Sequence, residues 1–295
     1  MKENDLIMDM LGLEKINIKE ILENKKNNDR EILLQYINGF NSDKTSNSYI
    51  GCFEDLEKVI KKFDLNINNI VKDKECGEFA FLLGCYVYVY HGFIIDINFN
   101  MDSYKLFEHI KKICDKLDKC FIDNEKLSVE VFNFVPKRFS ICMFNLFYEY
   151  LNEKDLINYG KHLFLSSDYG SNSMDYDVVE KIFKEGKEDL KKLCDNDGYI
   201  ELYRGCGEKS KSPYEAYSWT LNLDVAKFFA TRFSNENSDK DLINIYKIRI
   251  NIDDVIGYVG GVEKEVILDK YTIEYYDIET VEFDKTIRYK YPKGI

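Results

Sequence analysis

An α+β fold is predicted for this chain, with an all-helical N-terminal domain followed by a C-terminal domain built on a mixed β-sheet. Three observations carry the prediction. Apolar residues recur at helical spacing through most of the first 173 residues. After residue 196 several runs alternate apolar and polar side chains instead, and one helix-like stretch, Leu223 to Phe233, sits among them. The chain has 295 residues, 45% of them hydrophobic, with 22 Tyr and 20 Phe, which is enough for two domains with a core each.

In the N-terminal domain, residues 1–173, Ile16 to Leu22 and Asp29 to Phe40 carry apolar residues at helical spacing, with Asp29 placed to act as an N-cap. Phe53, Leu56, Val59, Ile60 and Phe63 mark one apolar stripe. The run from Glu78 to Tyr90 is apolar all round and reads first as a buried central helix, although its Tyr-Val-Tyr-Val-Tyr end equally suits a strand. Ser103 is placed to cap a helix carrying Leu106, Phe107, Ile110, Ile113, Cys114 and Leu117. Pro136 punctuates, and Arg138 to Leu151 reads as an aromatic-rich helix. Ser166 to Ser173 is a loop by composition.

The C-terminal domain, residues 174–295, starts with a long charged helix from Met174 to Cys194, and Asp195-Asn196-Asp197-Gly198 leads into the first strand. Tyr199 to Tyr203, Ala216 to Leu221, Leu242 to Ile252, Val262 to Leu268 and Thr286 to Tyr291 read as strands. The helix among them is expected to bury Leu223, Ala226, Phe229, Ala230 and Phe233.

Composition excludes several functions. The net charge is −12, and acids outnumber bases in both domains, which disfavours general binding to nucleic acid or anionic membrane. The eight cysteines form no Cys-x-x-Cys pair and only His91, His109 and His162 accompany them, so no zinc-site spacing exists and no metal is expected. With no signal peptide and no apolar run of membrane-spanning length, the chain reads as cytoplasmic, with free thiols.

Three short polar signatures interrupt the C-terminal strands: Arg204-Gly205, Ser218-Trp219-Thr220 and Glu263-Lys264-Glu265. Side chains two apart on a strand share a face, so Ser218 with Thr220, and Glu263 with Glu265, are expected to look into one cleft. Trp219 then points to the core. An arginine is a planar cation suited to phosphate oxygens, hydroxyls can brace a neighbouring carboxylate, and a carboxylate beside a sugar stabilises an oxocarbenium-like transition state. A diphosphate-bearing N-glycoside meets all three.

In this order the signatures resemble the arginine, Ser-Thr-Ser and Glu-x-Glu pattern of the mono-ADP-ribosyltransferases, over residues 196 to 295, and the stretch Leu223 to Ala230 is similar to the helix that follows in that family. Trp219-Thr220 stands where the family has Thr-Ser. The resemblance implies an ADP-ribosyltransferase-like domain with NAD as substrate, Arg204 on its phosphates, Ser218 bracing the site, Glu265 on the nicotinamide ribose and Glu263 at the incoming nucleophile. Gly205, Thr220 and Phe229 would complete the NAD site. It leaves the acceptor open among protein, nucleic acid and small molecule, and places the chain among toxin or phage-defence effectors, which meet a regulatory or antitoxin-like partner. An NAD glycohydrolase using the same cleft, or an inactive NAD- or protein-binding module of the same fold, are the competing readings.

Overall fold

The computed structural model describes residues 8–24, 28–39, 49–74, 86–97, 102–167, 171–184, 186–235 and 237–292. It is an α+β protein with two antiparallel sheets. The chain divides into two compact units, Met1–Asp155 and Leu156–Ile295. The division falls in the first turn of a helix, ahead of the expected boundary at 173/174.

The first unit is not all-helical as expected. It contains a four-stranded antiparallel sheet in the order β1 (Leu13–Lys15), β2 (Ile70–Asp73), β3 (Tyr86–Tyr90), β4 (Phe93–Asp96). The Tyr-Val-Tyr-Val-Tyr run is β3, because β-branched and aromatic residues fit a pleated surface better than a helix. Its partner follows through a two-residue turn, His91-Gly92, with φ of 49° and 78°, and Tyr90 pairs with Phe93. Both turn residues take positive φ, the geometry that matches strand twist in tight hairpins. His91 also lies 3.1 Å from Asp118 and packs on Phe121, a structural role. The rest of the expected buried helix, 78–85, lies outside the described residues.

Helices α1 (Ile18–Glu23), α2 (Asn28–Asn38), α3 (Phe53–Lys62), α4 (Ser103–Asp123) and α5 (Ser140–Phe147) complete this unit. Asp29 lies inside α2 instead of capping it. Ser103 likewise lies one residue inside α4, and Asp102 is the cap, accepting from the Lys105 amide at 3.0 Å. The aromatic stretch after Pro136 is α5 flanked by short 3-10 turns, Lys137–Phe139 and Tyr148–Tyr150, with Phe93 edge-on to both Phe132 and Phe147.

Helix α6 (Glu153–Ser166) leads into the second unit. Its six strands lie in the order β10 (Ile278–Val281), β7 (Asn244–Asn251), β5 (Tyr199–Cys206), β6 (Ser218–Thr220), β9 (Glu265–Leu268), β8 (Val255–Val259). Every pairing is antiparallel, so the expected mixed sheet is corrected. The long helix expected over 174–194 is two helices, α7 (Tyr176–Phe183) and α8 (Lys187–Lys191), parted before Gly186 at φ 109°.

One face of the sheet packs Ile200, Leu202, Trp219, Ile248, Ile250, Val266 and Leu268 with Leu190 of α8, and half-buried Tyr258 of β8 joins them. On the other face Ala226 and Ala230 of α9 (Leu223–Thr231) meet Ile243 and Ile245. The buried residues of α9 are Val225, Ala226, Ala230 and Thr231, whereas Phe233, expected in the core, is 58% exposed beyond the helix end. Thr286–Tyr291, expected as a strand, forms none: it alternates in sequence, but β10 already occupies the sheet edge beside β7. Among the described residues no helix is long and apolar enough to cross a membrane.

Candidate active site

The centre of the six-stranded sheet is weakly zipped. Strand β5 pairs with β7 along eight residues, but with β6 only at Tyr203–Thr220. Past that pair the Arg204 side chain takes over from the ladder, its Nη1 donating to the Ser218 carbonyl at 2.5 Å. Arg204 thus lies within β5, not at its end as the sequence suggested, and it braces β6 directly. Its Nε and the Trp219 Nε1 are buried without a hydrogen-bond partner among the described residues. A cavity of about 890 Å³ is lined by Arg204, Ser218, Thr220, Phe229, Glu263 and Glu265, so all but one of the sequence-predicted site side chains share a wall or floor of one space. The remaining one, Gly205, lines it with backbone.

Glu265 opens β9, where it is registered against Thr220 on one side and Val259 on the other. It is only 9% exposed. The Ser218 hydroxyl donates to its Oε1. Burial lifts its carboxyl from the ordinary 4.5 to about 7, and the nearby charge of Glu263 adds to the rise. The Ser218 hydrogen bond and the Arg204 cation pull the other way. A neutral-to-ionised carboxyl beside a hydroxyl and a guanidinium, in a space the size of a small-molecule site, is a functional-site signature.

Glu263 reaches the cavity by a different route from the one expected. It is not on the strand: residues 261–264 form a turn, with Lys264 at φ 45°. Strand alternation therefore does not aim it, and the turn does. The Thr220 hydroxyl donates to the Glu263 carbonyl and accepts from the Asn222 amide at 3.0 Å. Thr220 is 6% exposed and ties this turn to the start of α9, a structural role beside the substrate-binding one expected of it. Oε1 of Glu263 accepts from the Tyr291 hydroxyl at 2.9 Å.

Comparison of the sequence with family models and with curated proteins, and of the structure with solved structures, finds no match.

Gly205 has a packing role that the sequence did not reveal. A Cβ there would lie 1.8 Å from the Ala226 carbonyl, so glycine is what lets α9 lie against β5 and close the cavity. Phe229, on the cavity side of that helix, carries the Arg232 guanidinium 4.8 Å over its ring. Sequence reasoning missed Lys209, Lys211 and Arg232, which line the same cavity. A Lys-x-Lys pair in the loop after Arg204 was the available signal. Tyr291 was missed because its 28-residue separation from Glu263 leaves no local pattern. No group of three or more His, Cys, Asp or Glu able to hold a metal occurs among the described residues.

Proposed function

We propose that the second unit is an ADP-ribosyltransferase-like domain that cleaves the nicotinamide–ribose bond of NAD and transfers ADP-ribose to an acceptor. The observation that carries the reading is Glu265, a carboxyl buried beside the Ser218 hydroxyl in a cavity whose wall also holds Arg204. Four cations, Arg204, Lys209, Lys211 and Arg232, are among the residues that line the cavity, and they suit a diphosphate. Phe229 offers an aromatic surface for a flat ring.

In this reading the C1′–N bond breaks with its electron pair leaving on nicotinamide, which neutralises the pyridinium. Positive charge grows on the ribose, and the Glu265 carboxylate stabilises it in the transition state. The acceptor nitrogen or oxygen then bonds to C1′ and loses one proton, for which Glu263 is the nearby base. Water in that place gives ADP-ribose and a proton, the NAD glycohydrolase outcome. The cationic nicotinamide ring, close to Glu265, favours the ionised carboxyl that the step needs.

Release of nicotinamide from labelled NAD tests the reading. Glu265→Gln is nearly isosteric and should lower the rate about a hundredfold or more while NAD binding by calorimetry persists. Wild-type nicotinamide release by that variant removes the proposal.

A further inference from the structure

We propose that Tyr291 is a modification site, the phenol onto which this chain transfers ADP-ribose within its own molecule, with Glu263 taking the proton; this rests on the transferase reading above. Among the described residues, three hydroxyls bond to the two glutamates of the site, those of Ser218, Thr220 and Tyr291. Ser218 donates to Glu265, the group that has to stay ionised beside the ribose, so its proton has no base to go to. Thr220 donates to the backbone carbonyl of Glu263, which is no base, and it is 6% exposed. Tyr291 alone of the three donates to a carboxylate that the ribose does not use, reaching Glu263 Oε1 at 2.9 Å. A hydroxyl already bonded to a base is what nucleophilic attack needs. Glu263 lines the cavity, so the phenol oxygen stands one hydrogen bond from the space proposed for NAD.

The phenol is held there by its own segment. After β10 the chain runs without regular structure, yet it is pinned repeatedly. Lys285 Nζ donates to the Lys240 carbonyl and the Asn244 Oδ1, each at 3.1 Å, and the Tyr289 amide donates to Thr231 Oγ1 at 3.1 Å. The Tyr291 ring meets Phe228 of α9 edge-on at 5.1 Å. Tyr291 is nevertheless 42% exposed, which leaves room for the added group. Burial first, then the hydrogen bond to Glu263, raises the phenol to about 12, and the charge of Glu265 adds to the rise. It does not ionise unaided at neutral pH, so its attack depends on Glu263. The phenol oxygen forms the bond to C1′ as the C1′–N bond breaks, and that electron pair leaves on nicotinamide. The phenol proton passes to Glu263 and from there to water, and the product is an aryl glycoside.

The test incubates the full-length protein with NAD, or with ADP-ribose as a control, and locates any adduct by intact and peptide mass spectrometry while nicotinamide release is followed in parallel. With NAD, wild-type protein should gain one ADP-ribose per chain, on Tyr291. An adduct already on Tyr291 in the purified protein counts equally, because cells supply NAD. ADP-ribose itself should leave Tyr291 bare, since it carries no nicotinamide to expel. The bond should survive neutral hydroxylamine, which cleaves the ester that a carboxylate acceptor would carry. Glu263→Gln should form the adduct about a hundredfold more slowly, the usual worth of a general base. A tagged Glu265→Gln protein mixed with wild type should stay unlabelled, because the transfer occurs within one molecule. An adduct on another residue, wild-type labelling of Tyr291 in Glu263→Gln, or labelling of the tagged protein by its wild-type companion each overturns the proposal. Nicotinamide release with no adduct overturns it too, and leaves the transferase reading standing. No nicotinamide release at all removes that reading and this inference with it.

Discussion

A single carboxyl, Glu265, carries the proposed chemistry and also a cost in stability. Its folded value near 7 stands above the 4.5 of an exposed glutamate, so between these two values the folded state binds more protons than the unfolded one. Stability therefore falls as pH rises through that window and is fully reduced above it, by roughly 3 kcal/mol at the conversion of 1.36 kcal/mol per unit. Glu265→Gln keeps an acceptor for the Ser218 hydroxyl and removes the buried charge. Calorimetry should find the variant melting several degrees higher than wild type at pH 8 and within error of it at pH 4. Equal melting temperatures at both pH values would mean that Glu265 is solvated in the folded protein. The proposed reaction uses the ionised carboxyl, so kcat/KM for nicotinamide release should rise with pH through about 7, the value of the free protein.

At the scale of elements, the site depends on how closely α9 approaches β5. Gly205 is the contact point, with its missing Cβ at 1.8 Å from the Ala226 carbonyl. Gly205→Ala forces helix and strand apart. Overpacking of this kind costs roughly 1–3 kcal/mol, or a melting temperature about 5 °C lower for a unit of this size. The shift also moves Phe229, so NAD affinity should fall together with stability. A variant that melts and binds NAD like wild type would show that α9 slides without consequence. Sequence periodicity found α9 and placed Ala226 and Ala230 correctly in its buried face, but Phe233 lies past the helix end and Val225 and Thr231 took inward positions.

At the scale of the molecule, the second unit has its own sheet, with a separate apolar core on each face. A fragment of residues 153–295, keeping α6 whole, should fold cooperatively in a thermal melt and release nicotinamide from NAD. An insoluble fragment would mean that its apolar surfaces require the first unit. Retention of nicotinamide release with loss of acceptor labelling would assign acceptor selection to residues 1–152.

The strands that carry Arg204, Ser218 and Glu265 were legible because alternation and residue type are local properties of the chain. The same is true of α9, which a 3.6-residue period and the Asn222 cap announce. The hairpin of β3 and β4 was less legible, since an aromatic, β-branched run fits a buried helix or a strand until a partner is present to pair with it. Nothing local could reveal the parting of β5 from β6, the burial that lifts Glu265, the turn that aims Glu263, or the reach of Tyr291 to it. Each depends on residues well apart in the chain, from 14 positions for Arg204 and Ser218 to 47 for Ser218 and Glu265, meeting once apolar faces are buried, and that separation erases the information from a short sequence window.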